Sequence, residues 1–202
     1  MIFIRYISLL FVALLLSSCG SNKYIGAYKD GLEHGQGTME YSYGSRYVGG
    51  FSQGKRSGKG VLTHSNGAEY VGDFFQDLPH GHGSMTYISG ARYVGDWVQD
   101  LPHGQGTVDY ADGAKYTGGW EKGARSGKGT LTFANGDKCI GYFKDALDGK
   151  ASCFFSNGKK ITGTFVNSAP YDAEGTYFSN NGDSRKGYVT GVWRKGVFTA
   201  IK

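Results

Sequence analysis

Proline is scarce in this chain, three residues of 202, and no stretch concentrates lysine or arginine although the formal charge is +5. The 35 glycines are not accompanied by the proline that a collagen-like chain needs. The 15 tyrosines and 12 phenylalanines demand burial, which excludes a disordered chain. Without dense basic runs, nucleic acid is not an expected partner. Long apolar runs are also missing beyond the N-terminus, where Ile7 to Leu16 is too short to span a bilayer as a helix.

What is present is periodic. A block of Tyr or Cys, any residue, then Gly recurs every 23 residues, opening at Tyr24, Tyr47, Tyr70, Tyr93, Tyr116 and Cys139. A period between about 20 and 50 residues marks stacked supersecondary units, each too small to bury a hydrophobic face alone. In Tyr93-Val94-Gly95-Asp96-Trp97 the odd places are aromatic or Gly and the even ones mixed, the alternation of a half-buried strand. Gly104-Gln105-Gly106 then supplies freedom for a loop, and Thr107 to Tyr110 resumes as a second strand. One copy is thus a β-hairpin. Asn66-Gly67, Asp112-Gly113, Asn135-Gly136, Asn157-Gly158 and Asn181-Gly182 read as two-residue turns that join consecutive hairpins antiparallel. Glycine weakens a strand interior, so its recurrence at the third place (Gly49, Gly72, Gly95, Gly118) predicts close approach by a neighbouring ring.

Successive copies of Tyr-x-Gly-x-Phe/Trp-x-x-Gly-x-x-x-Gly-x-Gly resemble the MORN (membrane occupation and recognition nexus) repeat family, from Tyr24 to about Ser184 and a half-repeat beyond. The resemblance implies an all-β, elongated, single-layer antiparallel solenoid of about seven stacked hairpins. It also implies scaffolding, membrane association and self-association rather than catalysis. The pattern decays late: Cys139 replaces Tyr, Ala151 replaces the last loop Gly, the sixth copy is a residue short, and Ile161 opens the seventh. Residues 161–202 therefore read as a degenerate repeat and C-terminal cap, and 24–160 as six repeats.

The leader has its own signature. Arg5 precedes the apolar run, and Leu16-Ser17-Ser18-Cys19 closes it, which reads as a secretory signal over residues 1–18. The tetrapeptide resembles the bacterial lipobox, which implies cleavage before Cys19, a diacylglycerol on its sulfur and a further acyl chain on its new amino group. Gly20 stands where an Asp would resemble an inner-membrane retention signal, so the resemblance favours the outer membrane, periplasmic face. Several chains together make anchoring lasting, since each buried CH₂ adds about 0.8 kcal/mol. Residues 19–23 form the tether.

Candidate chemistry is sparse. His34, His80 and His103 share one place in the repeat, with His82 near His80. Equivalent side chains one hairpin apart stand roughly 10 Å from each other, so they do not converge on a metal, and no metal or cofactor is expected. Ser57 and Ser126 take that same place, so no copy offers both nucleophile and base; Asp73, Asp77, Asp96 and Asp100 are spread by the period. No catalytic residue is assigned. Cys139 and Cys153 are expected to stay unbonded, because a hairpin folding at the Gly-x-Gly loop offsets them by about three residues, roughly 10 Å. The basic segments Lys55-Arg56-Ser57-Gly58-Lys59 and Ala124-Arg125-Ser126-Gly127-Lys128 make Arg56, Lys59, Arg125 and Lys128 candidate contacts for anionic lipid or cell-wall glycan. The leading expectation is a lipid-anchored scaffold that presents a surface to a protein partner. The aromatics are expected in the core, since a single-layer sheet has little else to bury.

Overall fold

The computed structural model describes residues 20–178 and 188–200, so Cys19, the leader and Asn181-Gly182 lie outside the described residues. Sixteen strands form one antiparallel sheet in strict sequence order, from β1 (Lys23–Lys29) to β16 (Val197–Ala200). Hairpins pair with hairpins, as the repeat predicts. Among the described residues there are eight rather than about seven, because the segment after residue 187 contributes a pair, β15 (Tyr188–Arg194) with β16. The described part of the region read as a cap continues the sheet. Its last described strand, β16, covers Val197–Ala200.

The turns are distributed differently from the sequence expectation. In the fourth copy, β7 (Arg92–Val98) joins β8 (Leu101–Asp109) through Gln99 and Asp100, both at positive φ (49° and 68°). That is a two-residue primed turn, whose twist matches the flanking strands. His103-Gly104-Gln105-Gly106 is not a loop but part of β8. Gly95 pairs with Gly106 while Asp96 pairs with His103, so Gly104 and Gln105 are extra residues that form a bulge. The Asn-Gly sites, in turn, close three-residue loops in which only the Gly has positive φ. At one of them the His64 N–H donates to Ala68 O (2.8 Å) and the Gly67 N–H to His64 O (2.9 Å), the geometry of a type I turn followed by a left-handed residue.

The bulge explains the tyrosine. By interrupting the ladder it frees the carbonyl three residues after each Tyr, and the ring lies down along its own strand to reach it. Tyr47 Oη donates to Gly50 O (3.0 Å), Tyr70 to Asp73 O (2.9 Å), Tyr93 to Asp96 O (3.0 Å) and Tyr116 to Gly119 O (3.1 Å). On the way each ring crosses a pair of facing glycines. A Cβ added at Gly95 would stand 2.6 Å from Tyr93 Oη, and one at Gly106 would stand 2.6 Å from the Tyr93 ring carbons. Close approach by a ring is therefore the reason for the third-place Gly. Where the Tyr is lost, the facing Gly is lost too: Gly141 pairs with Ala151 in the Cys139 copy, and Gly163 with Ala173 in the Ile161 copy.

Each of these tyrosines also bridges two copies. Tyr47 meets Phe51 and Phe74, Tyr70 meets Phe74 and Trp97, Tyr93 meets Trp97 and Trp120, and Tyr116 meets Trp120 and Phe143. All eight contacts are edge-to-face with centroids 4.9–5.4 Å apart. Such pairs contribute about 0.5–1.5 kcal/mol each beyond their buried area. The result is one continuous aromatic ladder on one face of the sheet, ending at Phe143 because Cys139 replaces the next Tyr.

Cys139 and Cys153 are bonded, which corrects the expectation: S–S is 2.05 Å and Cα–Cα 4.0 Å. The hairpin folds at Asp145 rather than at Gly149, so β11 (Lys138–Lys144) and β12 (Ala146–Phe154) place the two cysteines directly opposite each other. The expected three-residue offset does not exist.

Burial pushes the phenol of Tyr47 up to about 12 although the nearby Arg56 opposes the shift, and it does the same for Tyr116 beside Arg125. Burial pushes Tyr70 and Tyr93 further up still. A raised folded pKa gives stability that is complete below the unfolded value of 10.0 and is lost as pH rises through the folded one. Denaturant midpoints should therefore fall between pH 10 and about 12, as tyrosinate absorbance rises. A midpoint unchanged across that window would contradict burial of the four phenols.

Candidate functional site: the aromatic face

On the aromatic face, the ladder forms a floor. Tyr41, His64, Tyr87, Tyr110 and Phe133 stand at equivalent places before the three-residue loops, with Tyr87 and Tyr110 half-buried. On the other side a second row comes from the start of the second strands: Arg56 opposite Phe51, Pro79 opposite Phe74, Pro102 opposite Trp97, and Arg125 opposite Trp120. Between these rows, over the third to fifth copies, lies an open groove of about 610 Å³ lined by Tyr87, Tyr110, Trp97, Trp120, Pro102 and Asp100 among others. A second depression of about 570 Å³ lies by the disulfide, against Phe133, Phe155, Ile161 and Phe165. Its apolar walls suit a partner more than a reaction.

The four basic candidates do not share one face. Arg56 lies on the aromatic side, its Cζ 5.7 Å from the Tyr47 ring centroid and 5.3 Å from that of Phe74. Its Nε is 3.4 Å from Asp77 Oδ1 and its Nη2 donates to Asp77 O (2.6 Å). Arg125 repeats this over Tyr116 and Phe143, with Asp145 at 3.9 Å. Lys59 and Lys128 point to the opposite face. Lys59 Nζ is 2.8 Å from Asp73, and Lys128 Nζ lies 5.8 Å from the Tyr142 ring centroid. The reason is strand alternation: within β4 (Lys55–Thr63) and within β10 (Ala124–Thr132) the Arg and the Lys stand three residues apart, an odd offset that places them on opposite faces.

The remaining polar residues have local partners. Burial alone would raise the pKa of Asp73, but the Lys59 hydrogen bond and the His82 N–H outweigh it and hold the carboxyl below its usual value. For Asp96 the Gln105 N–H, donated from the bulge, has the largest effect and lowers it. His82 Nδ1 contacts Asp96 at 3.2 Å, and His80 packs against Phe75 with centroids 5.8 Å apart. Among the described residues no three His, Cys, Asp or Glu gather as a metal site. Hydrophobic residues are exposed on the rim by the primed turns, at Phe75, Leu78, Val98 and Leu101. The signal for this rim in the sequence is the pair of apolar residues flanking Gln76-Asp77 and Gln99-Asp100, which the repeat pattern alone does not single out.

A single-layer stack of aromatic-floored hairpins with shallow grooves defines a binding repeat, the kind of fold that typically serves as a scaffold. Five consecutive copies, residues 24–46, 47–69, 70–92, 93–115 and 116–138, match the MORN repeat. The chain belongs to the MORN repeat family, whose repeats are generally protein- or lipid-binding modules. Among curated proteins none matches. Among solved structures, the chain is similar to the TCP domain of SAS-4 (dCPAP) of Drosophila melanogaster, solved in complex with a proline-rich motif of Ana2 (dSTIL). The two share 10% identity over 94% of this chain and 96% of that one, with a TM-score of 0.48.

Proposed function

We propose that this chain is a lipid-anchored, non-enzymatic scaffold at the bacterial outer membrane, and that its aromatic face receives an extended segment of a partner protein. The observation that carries the reading is the open groove over the third to fifth copies, with aromatic and proline side chains along it and the ladder beneath. Aromatic residues are the side chains that dominate protein-binding hot spots. The anchor rests on the lipobox-like Leu16-Ser17-Ser18-Cys19, with only Gly20 to Asn22 between Cys19 and β1. Cys19→Ala should move the protein from the membrane to the soluble fraction; retention after detergent-free washing would argue against acylation.

The second reading is direct binding of anionic lipid or cell-wall glycan. It is favoured by one observation, the exposed Lys59 and Lys128 on the face opposite the groove. Under it, the Cys19→Ala protein should bind acidic vesicles or sacculi, salt should weaken that binding, and Lys59→Ala with Lys128→Ala should remove it. The scaffold reading expects no salt-sensitive binding to either. Arg56 and Arg125 are better left intact in this test, since their loss would also strip cover from the aromatic floor.

A further inference from the structure

Two copies of this array carry an internal arginine in the same setting, and one copy has that setting without the arginine. Arg56 lies over Tyr47 and Phe74, and the turn of the next hairpin supplies Asp77 to pair with it. The Arg56 backbone N–H also donates to Asp77 Oδ1 (2.9 Å). Arg125 lies over Tyr116 and Phe143, and the following turn supplies Asp145. In the third copy the corresponding rings are Tyr70 and Trp97, edge-to-face at 5.1 Å, and the following turn supplies Asp100. The backbone relation is the same, for the Asp100 N–H donates to Pro79 O (3.0 Å) as the Asp77 N–H does to Arg56 O (3.0 Å).

The residue at the arginine's place is Pro79. Proline lacks the guanidinium and also lacks the backbone N–H, so Asp100 loses both donors that Asp77 has. Among the described residues no side chain forms an ion pair with Asp100. Its carboxylate stands exposed on the groove, whose lining here includes His64, Pro79, Tyr87 and Trp97. In a chain of formal charge +5 this is a local negative site against an aromatic surface. Its complement is a planar cation, which pairs with a carboxylate through two N–H donors and stacks on aromatic and proline faces.

We propose that the groove at Asp100 binds the side chain of an arginine presented by an extended segment of a partner protein. The guanidinium pairs with Asp100 at the mouth of the groove, as Arg56 and Arg125 pair with the following turn in their own copies, and lies toward the half-buried Tyr87, because Pro79, Tyr70 and Trp97 below it are themselves buried. The proposal rests on the groove being the docking face and names the chemistry of what docks there.

The test uses the full chain in detergent, with its tryptophan fluorescence titrated by the peptide acetyl-Gly-Ala-Arg-Ala-Gly-amide and by the same peptide with citrulline, a neutral isostere, in place of arginine. The arginine peptide should bind saturably in the millimolar range, and both the citrulline peptide and Asp100→Asn should bind about tenfold more weakly, the loss of one charge-assisted pair. Pro79→Arg should abolish binding by filling the site with an internal arginine, while leaving the thermal midpoint no lower than that of the parent. Equal binding of the citrulline peptide, full binding by a folded Pro79→Arg variant, or no saturable binding of the arginine peptide would overturn the proposal. Failure of the docking face itself reads differently. In that case the peptide binds as stated, yet no cellular partner is captured from the groove; a partner captured there with undiminished yield from Pro79→Arg would overturn the arginine site and leave the docking face standing.

Discussion

Trp97→Ala should lower the unfolding free energy by about 3–5 kcal/mol, the range for truncating a large buried aromatic. Trp97 is 4% exposed and is the rung between Tyr70 and Tyr93, with centroids 5.1 and 5.2 Å away. Its indole N–H donates to Gly83 O (3.2 Å), so truncation also leaves a buried carbonyl without that partner. In a stacked array each copy is held by its neighbours, and a break at the centre uncouples both halves. Denaturant unfolding should show the loss directly. A change below about 1 kcal/mol would place the ring outside the core.

The second large effect concerns glycines beneath the tyrosine rings. Gly106→Ala places a methyl group against Tyr93 ring carbons at 2.6 Å, and the ring is held by its bond to Asp96 O and by two edge-to-face neighbours. Overpacking of this kind costs about 1–3 kcal/mol. Gly95→Val should cost more, because its Cβ meets backbone, Gly106 Cα and Gln105 O at 2.5 Å, which cannot rotate away. The seventh copy already contains the compensated pair, Ile161 with Ala173 two places beyond its pairing to Gly175. Tyr93→Ile combined with Gly106→Ala should therefore cost less than the two single changes summed, by about 0.5–3 kcal/mol in a double-mutant cycle. Strict additivity would show that ring and glycine do not share the space.

Much of this architecture is legible in the residue pattern. The 23-residue period, the alternation in Tyr93 to Trp97 and the third-place glycines lead to stacked antiparallel hairpins with buried rings, because strand alternation and close packing act locally. The position of the fold-back does not follow from the pattern in the same way. Gly104-Gln105-Gly106 has the composition of a loop, yet it is a bulge, while Gln99 and Asp100, which lack glycine's freedom, take the left-handed turn. That misplacement propagates: it separates Cys139 from Cys153, and it puts Arg56 and Lys59 in one loop when they share strand β4, whose alternation places them on opposite faces. The period alone makes Arg56 and Pro79 equivalent, but that Asp77 pairs with Arg56 across two copies, and so that Asp100 has no such pair, follows only from the structure.

The aromatic face as docking surface is tested most directly by site-specific cross-linking in intact cells. A photoreactive phenylalanine replaces Tyr110, which lines the groove, or Thr117, whose hydroxyl lies 3.0 Å from that of Thr107 on the exposed opposite face. The scaffold account predicts one discrete protein adduct from position 110 and none from position 117. An adduct from position 117 alone, lipid or glycan adducts in place of protein, or no adduct from the groove at all would contradict it.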